Sequence, residues 1–144
     1  TMTASPLLRT LAHTTLHALK HACSTQDHRV AVRQKWAIET LERFRFRVNV
    51  VGTPPTDTKA ILVGNHVSYL DIPLVLSNCP DTVFIAKDDL RFWPILGACI
   101  ASAGTIFVPR GKKADRSTAR RKITSKLEGN SGAKILSFPS GTTQ

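Results

Sequence analysis

Length, composition and charge limit what this chain can be. Its 144 residues are 42% hydrophobic and carry a net charge of +10, which predicts one globular domain with a sizeable core and an anionic partner. The three cysteines show no CxxC motif and no zinc-ligand spacing, which excludes a zinc finger. No uninterrupted apolar run reaches membrane-spanning length, which excludes a simple membrane span. Charge alone leaves nucleic acid, anionic lipid, a phosphorylated substrate and a merely solvated surface open.

Hydrophobic periodicity predicts the elements in chain order. Two N-terminal helices cover residues 5–22 and about 29–44, and the polar/apolar alternation of 45–51 predicts a strand. A buried strand then follows at 60–64, and further strands at 82–86, 105–108 and 134–138, with helices at 71–77, 90–101 and from a cap at Asp115 to Gly129. This rhythm predicts an α/β fold, a mixed β-sheet flanked by helices, with an N-terminal helical region.

The segment between the strand at 60–64 and the following helix carries a histidine and an acid. His66 and Asp71 would lie roughly 140° apart on a continuous helix. They can meet if His66 lies in a turn and Asp71 in the first helical turn, where Pro73 supports a helix start. Such a pair could act as a general base and the group that orients it. Asn65 could hold the turn with its side chain. Taken alone, the spacing favours the alternative that Asp71 only caps the helix.

Two later segments could bind an anion. Arg110 follows the strand at 105–108, where a guanidinium is suited to a phosphate, although the basic run after it is also typical of a solvated loop. Ser140, Gly141 and Thr142 lie in a glycine turn after the last strand, whose N–H groups and hydroxyls could receive a phosphate or a developing oxyanion. Unaided, that segment is only a turn.

Together these segments resemble the glycerolipid acyltransferase family, in particular the 1-acylglycerol-3-phosphate acyltransferases. The first family block matches Asn65, His66 and Asp71, the second matches Gly104, Ile106, Phe107 and Arg110, and the third matches Phe138, Pro139, Gly141 and Thr142. The stretch 86–97 also fits, and four agreeing blocks overturn the capping alternative. Ser140 stands where the family has a glutamate implicated in handling the acceptor, so it contributes no charge there.

The resemblance implies a reaction and its residues. An acyl group would pass from acyl-CoA or acyl carrier protein to the free hydroxyl of a lysophospholipid such as 1-acylglycerol-3-phosphate, in phospholipid biosynthesis. His66 would be the base, Asp71 its orienter and Arg110 the phosphate ligand. The acceptor site would also include Asn65, Ser140, Gly141 and Thr142. No cofactor or nucleic acid is expected, and no metal either, since the five histidines lack ligand spacing.

Organisation and membrane association follow from the same resemblance, and the odd number of cysteines fits a cytosol-facing location. Residues 1–44 are expected to form a helical, membrane-associated region on the cytoplasmic face. Residues 45–144 are expected to form the acyltransferase domain, truncated before the family's fourth block. Two alternatives stay open: a basic module that binds a membrane surface or nucleic acid, and a weakly active homologue disabled at Ser140.

Overall fold

The computed structural model describes residues 6–55, 58–92, 100–101, 104–108, 113–129 and 134–139. Its helices are α1 (Pro6–Cys23), α2 (Gln26–Arg43), α3 (Asp71–Asn78) and α4 (Lys113–Gly129). Its strands are β1 (Ala60–Val63), β2 (Thr82–Lys87), β3 (Ile106–Val108) and β4 (Lys134–Ser137), and a short 3-10 helix spans Asp88–Phe92. Most of these bounds lie within a few residues of those predicted from periodicity.

The described strands form one sheet in the order β1-β4-β2-β3, and every pairing is parallel. The α/β fold with flanking helices is confirmed, and the pairing refines the predicted mixed sheet to a parallel one. Each strand is a short run rich in β-branched and aliphatic residues, which suits a sheet covered on its faces. Because the strands are parallel, all their carboxyl ends lie at the same edge.

Alternating side chains of β4 divide the core into two layers. Leu136 packs with Ala37 of α2, Leu76 of α3 and Phe84 of β2 on one face of the sheet. Ile135, fully buried, points to the opposite face. There it joins a cluster made by β2, β3 and α4; its members are Val83, Ile106, Ile123 and Leu127. The sheet is therefore covered on both faces at β4 and β2, and Leu76 packs α3 against β4.

Helix α1 turns its polar face inward. His13, His17 and His21 are buried against the rest of the protein, each less than 9% exposed. The leucines of the opposite face are all more than half exposed: Leu8, Leu11, Leu16 and Leu19. At about 100° per residue the two sets centre on opposite sides of the helix. The predicted amphipathic helix is present, but its apolar stripe faces away from the protein. No described helix combines the length and apolarity needed to cross a bilayer.

Three predictions about elements need correction. Residues 45–51 form no strand: Arg45 takes a φ of +56°, Phe46 donates its N–H back to the Leu41 carbonyl, and no described strand pairs with the extended segment that follows. Helix α4 begins at Lys113, so Asp115 lies inside it rather than capping it. Strand β1 is only half-buried, since Ile61 and Val63 are exposed.

The predicted helix at 90–101 falls only partly on the described residues. Residues 90–92 belong to the 3-10 helix Asp88–Phe92, residues 100–101 are helical, and the residues between them lie outside the described part of the chain.

Candidate active site

The candidate site lies at the carboxyl edge of β1 and β4. These strands are neighbours in register, with Val63 opposite Ser137. The N–H of Gly64 continues the ladder by donating to the Ser137 carbonyl at 3.3 Å. His66 and Phe138 therefore follow adjacent strand ends, where open α/β sheets collect their ligands.

A single carboxylate oxygen organises the turn after β1. Oδ2 of Asp71 accepts hydrogen bonds from Nδ1 of His66 at 3.0 Å, from the N–H of Val67 at 2.8 Å and from the N–H of Ser68 at 2.9 Å. Both backbone donors precede α3. The carboxylate therefore holds the turn and its histidine, which is a different role from capping the first turn of the helix.

This geometry determines which ring nitrogen of His66 carries the proton. A carboxylate can only accept hydrogen bonds, so the neutral His66 ring must carry its proton on Nδ1. Its Nε2 then presents a free lone pair, which is the form of histidine that can remove a proton from an alcohol. The side chains of His66 and Asp71 are each 19% exposed, so the pair is sheltered and still reachable from solvent.

The carboxylate is held in its charged form. Burial raises the pKa of Asp71, but hydrogen bonds from Ser68 N–H, His66 and Val67 N–H outweigh burial, and the net pKa lies below the ordinary value. Asp71 is consequently ionised at neutral pH. An ionised carboxylate next to Nδ1 would stabilise the imidazolium that forms when His66 accepts a proton.

Phe138 supports the imidazole from one face. The two rings stack with centroids 4.4 Å apart and an interplanar angle of 17°. Together, Asp71 on one ring edge and Phe138 on one ring face restrict His66 to a single orientation. Sequence reasoning used Phe138 only as part of a family block and missed this contact, because it depends on β1 and β4 being neighbours.

The other predicted site residues are placed less completely. Gly104 leads into β3 with a φ of +76°, a left-handed conformation that favours glycine. Strand β3 ends at Val108 at the same edge of the sheet as the turn, but three strands away, or about 14 Å at the usual strand spacing.

Asn65 is exposed, and its side chain bonds to no described residue, so the role predicted for it in holding the turn falls to Asp71. Arg110, Ser140, Gly141 and Thr142 lie outside the described residues.

Sequence reasoning also missed a second polar cluster, on α1 and α2. Nε2 of His13 and Nε2 of His17 lie 2.7 and 3.0 Å from the same oxygen, Oε2 of Glu39. The interpretation that the histidines lack ligand spacing was wrong, because His13 and His17 are four apart and share one face of α1. That spacing was the available signal.

Comparison with known proteins gives three findings on the family and one on the fold. The sequence model described as "Acyltransferase" matches residues 45–144. A lyso-ornithine lipid O-acyltransferase of Pseudomonas aeruginosa is 35% identical over 108 residues, which are 75% of this chain and 40% of that protein. A 1-acyl-sn-glycerol-3-phosphate acyltransferase of Neisseria gonorrhoeae is 36% identical over 95 residues, which are 65% of this chain and 36% of that protein.

A solved structure has the same fold. It is the crystal structure of the 1-acyl-sn-glycerophosphate (LPA) acyltransferase PlsC from Thermotoga maritima. The TM-score is 0.68 at 24% identity, over 96% of this chain and 64% of that one. The chain spans 40% of the Pseudomonas aeruginosa relative and 36% of the Neisseria gonorrhoeae relative, which is less than half the length of each.

Proposed function

This chain belongs to the acyltransferase family, and from that premise we propose that it transfers a fatty acyl group from a thioester to the hydroxyl of a lysolipid. The observation that carries the proposal is the His66–Asp71 pair, with Nδ1 of His66 bonded to the carboxylate at 3.0 Å. Its free Nε2 supplies the base that acyl transfer to an alcohol requires.

The proposed reaction proceeds by direct attack. Nε2 of His66 accepts the hydroxyl proton as the acceptor oxygen attacks the thioester carbonyl. The tetrahedral intermediate collapses with cleavage of the carbon–sulfur bond, and the imidazolium returns its proton to the departing thiolate. Asp71 stabilises the imidazolium between these steps, as the acid does in a serine-protease triad, with the substrate's alcohol in the place of serine. No acyl-enzyme is needed, and Ser68 is already engaged in the turn through its N–H and hydroxyl.

We assign the donor and acceptor by chemistry. The donor is acyl-CoA or acyl carrier protein. The acceptor is a lysophospholipid such as 1-acylglycerol-3-phosphate, whose phosphate would bind Arg110 beyond the end of β3, with Asn65, Ser140, Gly141 and Thr142 completing its site. The relatives' names include both a lysophosphatidic acid enzyme and lyso-ornithine lipid enzymes. A lyso-ornithine lipid is therefore the rival acceptor.

Product identification tests the proposed function. The protein is incubated with acyl-CoA or acylated carrier protein and with 1-acylglycerol-3-phosphate, lyso-ornithine lipid or no acceptor, and products are identified by mass spectrometry. Acylated lysolipid formed with release of free thiol supports acyl transfer, and the preferred acceptor distinguishes the two headgroups. Thioester cleavage that no lysolipid accelerates, or no cleavage in any mixture, would contradict it.

We further propose that α1 lies on the membrane surface, on the cytoplasmic face. Its exposed leucines form one stripe, while the helix carries Arg9 and Lys20 and no acidic residue. A helix of this kind inserts its apolar face at the headgroup boundary and is attracted by anionic lipids. This placement would bring the site to its lipid acceptor.

Replacing both Leu11 and Leu19 with serine is expected to weaken binding to phosphatidylglycerol vesicles at least roughly 10-fold, because each buried leucine contributes about 1.5–3 kcal/mol when fully buried. Vesicle co-sedimentation measures the change. Val51→Ser is the matched control, since Val51 is 92% exposed and lies outside α1. Equal sedimentation of the double variant and the wild type would remove α1 from the membrane contact.

A further inference from the structure

We propose that His13, His17 and Glu39 form a binding site for a divalent transition-metal ion, with Zn²⁺ as the ion that best suits two imidazoles and one carboxylate. The potential ligand atoms of the three residues all lie within 4.8 Å of one another. The site is formed between α1 and α2 and includes neither His66 nor Asp71. It therefore does not depend on the proposed acyl transfer.

Two of the three ligand distances need only small movements to fit a shared ion, and the third, between the two imidazoles, is at most 4.8 Å. Zinc binds nitrogen and oxygen ligands at about 2.0–2.2 Å, so two ligand atoms around a tetrahedral zinc lie about 3.3 Å apart. The distances from Oε2 of Glu39 to Nε2 of His13 and of His17 are 2.7 and 3.0 Å. These need to lengthen by only a few tenths of an ångström. The two imidazoles are on successive turns of one helix, a spacing that presents both rings to the same ion.

The surroundings of the cluster also suit a cation. His13 and His17 are 8% and 6% exposed, which keeps both rings in one place. The Glu39 side chain is 34% exposed, so a fourth ligand, such as water, can approach from solvent. Without an ion, one carboxylate oxygen accepts from both imidazoles. An ion would replace the two shared protons, which then move to the Nδ1 atoms.

The contacts made by the far sides of the two imidazoles limit the affinity for zinc. The Nδ1 atoms of His13 and His17 are buried and bond to no described group. Metal-bound histidines usually donate this N–H to an acceptor, and losing such partners weakens metal affinity about 10- to 100-fold. We therefore expect reversible zinc binding, weaker than in sites whose imidazoles are fully anchored. Two ammonium groups oppose the ion: Nζ of Lys35 is 3.9 Å from the other oxygen of Glu39 and is largely exposed, so solvent screens its repulsion, and Lys20 acts on His17.

Zinc titration of the protein by isothermal calorimetry tests the site. The wild type is expected to bind one Zn²⁺ per chain, and Glu39→Gln, which keeps the size and a hydrogen-bond acceptor, is expected to bind at least about 10-fold more weakly. His28→Ala is the matched control, because His28 is an exposed histidine of α2 outside the cluster. Zinc is also expected to raise the Tm of the wild type and of His28→Ala more than that of Glu39→Gln.

Two results would overturn the proposal: no zinc binding by the wild type, or undiminished binding by Glu39→Gln. If that variant does not fold, Co²⁺ added to the wild type keeps the test decisive. Visible bands of four- or five-coordinate Co²⁺ without a thiolate charge-transfer band would support the site. A thiolate band would instead locate the ion at a cysteine, such as exposed Cys23, and would contradict the proposal.

Discussion

Replacing His66 with alanine is expected to lower kcat for acyl transfer about 10²–10⁴-fold while the fold is retained, because a positioned base contributes about that much to proton transfer. The fold should survive since the backbone bonds from Val67 and Ser68 to Asp71 do not involve the imidazole. The measurement is thiol release from acyl-CoA with a saturating lysolipid acceptor. Far-UV circular dichroism and Tm report on the fold.

His28→Ala is the control for this experiment, because it also removes a histidine side chain but from an exposed position on α2. Its kcat should match the wild type. A loss confined to KM in His66→Ala would indicate that the ring binds substrate without moving a proton. Near-normal kcat in that variant would eliminate the proposed mechanism.

Replacing Asp71 with asparagine is expected to lower kcat about 10- to 100-fold, a smaller loss than in His66→Ala. In the wild type, Oδ2 accepts from two backbone N–H groups as well as from His66. An asparagine must therefore place its oxygen, not its NH₂ group, at that position. The imidazole keeps its tautomer, and what is lost is the charge facing the imidazolium. A hydrogen bond to a charged group is worth about 1.5–3 kcal/mol, and the partial exposure of the pair favours the lower part of that range.

Stability against pH gives Asp71→Asn a second, independent readout. The pKa of Asp71 is lowered in the folded protein, so its stabilising contribution is complete above the unfolded value of about 3.9 and is lost as pH falls through the lower folded value. The Tm of the wild type should therefore fall more steeply than that of Asp71→Asn as pH drops below about 4. Superimposable pH profiles would contradict the lowered pKa. A kcat as low as that of His66→Ala would show that the tautomer had reversed.

The contact between His66 and Asp71 could be predicted because it is local. The two residues are only five apart in sequence. Their side chains meet when His66 lies in a turn and the helix starts at Asp71, and Pro73 marks that start. The stacking of Phe138 on His66 could not be predicted in the same way. It joins residues far apart in sequence through the order of strands in the sheet, which hydrophobic alternation does not specify.

Helix α1 illustrates a different limit of sequence reasoning. Periodicity identifies which residues share a face, but not which face turns toward the protein. The usual assumption that leucines face inward fails here, because His13 and His17 share a hydrogen-bonding partner on α2 and the leucines remain outside. The strand predicted at 45–51 failed for a related reason. Alternation favours an extended backbone, but a strand also requires a neighbour to complete its ladder.

The position of β4 between β1 and β2 has a consequence for biosynthesis. Because β4 is the last described strand along the chain and occupies an interior place in the sheet, β1 and β2 have no direct pairing with each other. During translation, the strands and helices up to residue 129 leave the ribosome before the segment that joins them. Until β4 is added, the incomplete sheet exposes the unpaired edges of β1 and β2, a state prone to association with other chains. Closure of the β1–β4 pair also brings Phe138 beneath His66, so the base is oriented only when the sheet is complete.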